Sequence, residues 1–86
     1  MIVYPAILFP PDTAGLSGCL VPDLAVNASG ASPDEALRDA AAIVNAFLAT
    51  LADRGEPFPE ATPAEDVDLD GGTLVMLGTP LPTLAA

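Results

Sequence analysis

Twelve carboxylates, one thiol and a few hydroxyls are the side chains on which this chain could base any chemistry, and it contains no histidine. Paired carboxylates can act as general acid and base, or can hold two metal ions for hydrolysis. The candidates are Asp12, Asp23, Asp39 and the run from Glu65 to Asp70. Asp12 and Asp23 fall where turns are expected, and Asp39 falls on the polar side of a predicted helix. Asp66, Asp68 and Asp70 alternate, so an extended backbone would put all three on one face. That trio lacks the glycine and the closing glutamate of a calcium loop and reads as a solvated acidic stretch. Cys19 has no histidine to activate it and no second cysteine to pair with, so it reads as a small buried apolar residue. The usual zinc ligand sets are missing as well. Ser17, Ser29 and Ser32 have no base beside them. Gly71-Gly72 precedes a strand with no basic residue after it, which is not a phosphate loop. The expectation is a protein without catalytic residues, cofactor or resident metal.

The charge balance speaks about partners. Against the twelve acidic residues stand only Arg38 and Arg54, for a formal net charge of −10. DNA, RNA and anionic membranes bind through lysine and arginine, so this chain is expected to be repelled by all of them. A cationic partner would be steered toward it. Hydrophobic residues make up 51% of the 86 positions, but only 5% are aromatic and much of the rest is alanine. The core must therefore be thin, and residues 1–86 read as one folding unit that gains from self-association. The apolar start MIVYPAILFPPD has no basic flank and is broken by prolines, unlike a signal peptide. No run is long enough to cross a bilayer, and a cytoplasmic location is expected.

The elements that must position these groups can be read from local pattern. Ile2 to Phe9 is rich in β-branched and aromatic residues and runs into Pro10-Pro11-Asp12 and Gly15, a strand and then a turn. Leu16 to Val21 reads as the returning strand, and Val26 to Ala28 as a short third one closed by Ser29-Gly30. Pro5 has no N–H to donate, so the first strand should lie at an edge or carry Pro5 on its unpaired side. Ser32-Pro33-Asp34-Glu35 combines a serine cap, a proline at the first helical position and a glutamate three residues after the cap. Apolar residues then recur at Leu37, Ala40, Ala41, Val44, Phe47, Leu48 and Leu51, an amphipathic helix that Gly55 can end. Prolines at 57, 59 and 63 among Glu60, Glu65, Asp66, Asp68 and Asp70 predict an extended, solvated connection. Thr73 to Leu77 is the last strand, stopped by Pro80 and Pro82.

Alternation along the first strand sends Ile2, Tyr4, Ala6 and Leu8 to one face and Val3, Ile7 and Phe9 to the other. One helix covers only one face of a small sheet. The opposite face is therefore expected to meet another copy of the chain or a different partner.

In order along the chain, Tyr4-Pro5-Ala6 opens a strand, Pro22-Asp23-Leu24 follows a turn, SPDEAL at 32–37 opens the helix and RGEPFPEAT at 54–62 follows it. This order resembles the HicB antitoxin family over roughly residues 3–62, and the strand at Thr73 to Leu77 fits the same pattern. The resemblance implies an α+β fold in β-β-β-α-β order, a small antiparallel sheet packed on one long helix, similar to a partial ribonuclease H fold without its catalytic carboxylates. It further implies binding and neutralisation of a HicA-type toxin, a small basic ribonuclease that cleaves messenger RNA. On that reading Asp12, Asp23 and Leu24 are the candidate contact residues, against the alternative that both aspartates bond their own turn backbone and Leu24 lies in the core. A homodimer or homotetramer is expected. After Leu24 the family usually continues with Pro-Gly-Cys and a Thr-Gln-Gly-Asp run, where this chain has Ala25 to Ala31. No DNA-binding module follows within residues 1–86, so direct nucleic acid contact is not expected. Two other readings compete: an orphan oligomeric module without a toxin, and a metal-dependent nuclease built on Asp66 and Asp68.

Overall fold

A computed structural model describes residues 2–79 of the chain. Strand β1 (Ile2–Leu8) leads through a turn to β2 (Ser17–Val21), a 3-10 turn (Pro22–Leu24) and β3 (Val26–Gly30). Helix α1 (Pro33–Asp53) follows, then a second 3-10 turn (Ala64–Asp66) and β4 (Thr73–Thr79). The strands form one sheet in the order β3-β2-β1-β4, and every neighbouring pair is antiparallel. The α+β class and the β-β-β-α-β order read from the sequence are both present. β3 runs on through Ser29 and Gly30, and β4 extends past Leu77 to Thr79. The expected stops at Pro80 and Pro82 lie outside the described residues.

Pro5 is tolerated in a way that separates two alternatives. β1 is not an edge strand, since it lies between β2 and β4. The Phe9 N–H donates to the Gly18 carbonyl at 2.9 Å, so alternate residues of β1, including Ile7 and Pro5, turn their nitrogens toward β2. The register Ile7↔Leu20, Leu8↔Cys19 is where the β1–β2 pairing stops. Continued by two residues it would bring Pro5 opposite Pro22, and neither has an N–H to give. The chain enters its 3-10 turn there instead, and Pro5 sits on the unpaired side of an inner strand.

The helix ends follow from their residues. Ser32 Oγ accepts from the Glu35 N–H at 3.2 Å, and Glu35 Oε2 reaches back to the Ala31 N–H at 2.9 Å, one residue before the cap. At the far end Gly55 takes a φ of +68°. Its N–H donates to the Ala52 carbonyl and the Glu56 N–H to the Leu51 carbonyl, the paired bonds that close a helix on a left-handed glycine. Between these ends Ala36, Ala40, Val44 and Leu48 are fully buried against Tyr4, Ala6, Cys19, Val21, Val26 and Ala28. Alanines on both sides let the helix approach the sheet closely. At Gly30 an added Cβ would come within 2.7 Å of the Ala36 nitrogen, so the start of α1 rests directly on the end of β3.

Candidate partner-binding site

The β1–β2 turn, the β3–α1 junction and the approach to β4 all lie at one end of the sheet, as the antiparallel order requires. That end carries Asp12, Asp34, Glu35, Asp68 and Asp70, all exposed. Of the two cations, Arg38 sits in the second turn of α1 near this end and Arg54 at the opposite end. The result is an acidic end facing solvent, suited to attract a cationic surface.

Asp12, Asp23 and Leu24 are placed apart and each has work within the fold. Asp12 is exposed at the acidic end, where its Oδ1 accepts from the Ala14 N–H at 2.8 Å and the Leu16 N–H at 3.0 Å. Those bonds are those of an Asp-nucleated turn. Asp23 lies in the first 3-10 turn, half-buried, and accepts from the Thr62 N–H at 2.9 Å and from the Thr62 hydroxyl. Leu24 is buried in the core. Of the three, Asp12 alone is exposed to a partner.

Asp23 anchors, through Thr62, a strap that the spacing of residues did not disclose. The connection after α1 crosses back over the sheet, where the Tyr4 hydroxyl donates to the Pro59 carbonyl at 2.8 Å and Phe58 packs on the core. Burial, and next the nearby Asp23 carboxylate, raise the Tyr4 pKa above its ordinary value of 10.0. Farther on, the Asp66, Asp68, Asp70 alternation is broken. Asp66 ends a 3-10 turn, Asp68 Oδ1 accepts from the Asp70 N–H at 3.1 Å and Asp70 has a φ of +46°. The three carboxylates do not share an extended face. The Cys19 thiol is buried, and burial pushes its pKa up, which disfavours the nucleophilic thiolate.

The helix-free face of the sheet is less open than alternation alone predicts. Ile7 is only 1% exposed and Pro5 is fully buried. Gly72 lies so close that an added Cβ would meet Ile7 and Phe9, so the chain covers part of this face itself. Val3 at 39% and Met76 at 50% stay exposed. Ile43 and Phe47 form a second exposed apolar pair on the flank of α1. Phe47 was expected in the buried stripe, but the residues that meet the sheet are Ala36, Ala40, Val44 and Leu48, a row four apart, and Phe47 stands beside that row at 40% exposure.

Comparison with known proteins bears on the fold. No family model matches the chain, and no curated protein matches it by sequence. Among solved structures, the crystal structure of the N-terminal domain of the Burkholderia pseudomallei antitoxin HicB is similar with a TM-score of 0.80. The match covers 93% of this chain and 100% of that one at 20% sequence identity. The chain therefore has the fold of the amino-terminal domain of a HicB antitoxin.

Proposed function

We propose that this protein is antitoxin-like: it binds a small basic HicA-like toxin that cleaves messenger RNA and neutralises it by occupying the surface that RNA would use. The observation that carries the reading is the shared fold with an antitoxin domain over 93% of the chain. The net charge of −10 supports it, because a cationic ribonuclease and an anionic inhibitor attract at long range and RNA is excluded by the same field. The acidic end of the sheet is the proposed docking region, with Asp12 in direct contact, while Asp23 and Leu24 lie in the turn at the opposite end, where they hold the Thr62 segment and the core in place. The test is co-expression with a HicA-type toxin, read as growth rescue and as loss of messenger RNA cleavage by the purified pair. Rescue is expected, and Asp12→Lys combined with Asp70→Lys should slow association by about tenfold or more at low salt. Unabated cleavage at excess protein would exclude the proposal.

A further inference from the structure

We infer that the outer edge of β4 is a self-association surface, along which a second copy of this chain adds its own β4 antiparallel, with the twofold axis at Met76. This rests on the edge itself and stands apart from the antitoxin-like reading. β4 is an outermost strand, and among the described residues only its β1 side is paired. The nitrogens of Phe9 and Ile7 face β2, so Tyr4, Ala6 and Leu8 face β4. Through the register Tyr4↔Leu77, Ala6↔Val75, Leu8↔Thr73, the N–H and C=O groups of Thr73, Val75 and Leu77 are used toward β1. Those of Leu74, Met76 and Gly78 point outward, a row of donors and acceptors ready for another strand.

Edge strands are ordinarily guarded by a charge, a proline, a bulge or a covering element. The seven residues TLVMLGT contain neither charge nor proline, and α1 packs chiefly on β3 and β2 and only lightly on β4. Charge also selects the occupant. A chain of net charge −10 repels its own copy over most of its surface, but along β4 two copies meet without opposing carboxylates. A basic partner would find no carboxylate there to hold it.

The strand is also complementary to itself. A twofold axis at Met76 pairs Met76 with its counterpart and Leu74 with Gly78 of the copy, and these are the residues whose backbone groups face outward. Leu74, Met76 and Gly78 share the helix-free face with Val3, which lies opposite Gly78. The bulk of Leu74 from one copy falls beside the bare Gly78 of the other, against the exposed Val3. Met76, half exposed in the single chain, meets its own image. The two sheets become one continuous sheet with both helices on the same face.

The test uses the full chain in sedimentation velocity across a concentration series, with amide exchange as a second readout. A dimer is expected, with Leu74, Met76 and Gly78 amides exchanging at least about tenfold more slowly than in the diluted monomer. Met76→Pro removes an outward N–H and none of the bonds to β1, so it should fold, as read by helical circular dichroism, and raise the dimer dissociation constant at least about tenfold. Met76→Lys is the second variant should the proline disturb folding. Phe47→Lys on α1 should leave the dimer intact. Added sodium chloride should strengthen the dimer by screening its charge, and should weaken capture of a basic toxin. A monomer at every concentration would overturn the inference, as would a dimer that survives Met76→Lys or that Phe47→Lys dissociates. Neither result would bear on toxin neutralisation, which the cleavage assay reads separately.

Discussion

The two outer strands of the sheet are both free of charge, yet they are treated differently. β3 has five residues and lies beneath α1, with Val26 and Ala28 each 5% exposed and Gly30 jammed against the start of the helix. Its outward side chains, Asn27 and Ser29, are polar and exposed. β4 has seven residues, lies away from the helix and turns Met76 into solvent. One helix on a four-stranded sheet can shield one edge, because its width spans about two strands. The other edge must be protected by its own residues or be used. Among the described residues, β4 carries neither a charge nor a proline to protect it.

The asymmetry can be broken from the crowded side first. Gly30→Ala places a methyl group 2.7 Å from the Ala36 nitrogen, and backbone cannot yield as a side chain does. It should lower the unfolding free energy by about 1–3 kcal/mol in urea denaturation. Met76→Thr on the open edge should change the stability of the dissociated chain by no more than about 0.5 kcal/mol. Equal losses at the two positions would mean that the edges are equally packed.

A smaller effect is expected in the strap that delivers β4 to its place. Asp23→Ala removes the acceptor for both the N–H and the hydroxyl of Thr62. The loss should be about 1–2 kcal/mol, with faster amide exchange at Thr62. If β4 depends on the strap for its position, exchange at β4 rises as well, whereas exchange at β3 does not.

The smallest effect concerns Tyr4, which holds the same strap through Pro59. Its pKa is raised in the folded chain, so the neutral phenol is the form that folding favours. Stability from this group is therefore complete below the unfolded value of 10.0 and is lost as pH rises through the folded value. Tyr4 is the one tyrosine of the chain, so tyrosinate absorbance reports it without interference. It should ionise at higher pH in the folded protein than in urea, and Tyr4→Phe should abolish that alkaline loss of stability. Coincident titrations would show that the phenol is not held in the strap.

Much of this architecture was legible where local chemistry decides. The cap at Ser32, the glycine end at Gly55 and the four strands follow from residue types within a few positions of each other, and such signals act over a single turn or hairpin. The candidate site was less legible. Asp12 could be read as a turn residue, but the bonds from Asp23 to Thr62 and from Tyr4 to Pro59 join residues 39 and 55 positions apart. No local pattern announces contacts at that range. The three-carboxylate face expected at Asp66, Asp68 and Asp70 failed because it assumed an extended backbone, whereas Asp66 ends a 3-10 turn, Asp68 bonds to the Asp70 N–H and Asp70 takes a positive φ.

By itself the sequence determined the element order, the acidic character and the amphipathic helix, since each depends on composition or on periodicity along a short stretch. Tertiary structure alone decided that β1 is an inner strand despite Pro5, that Ile7 is buried and Phe47 is not, and that among the described residues only one side of β4 is paired. Those outcomes depend on which strand lies beside which and on how near the alanine-lined helix can come, and both are set by packing between residues far apart in the chain.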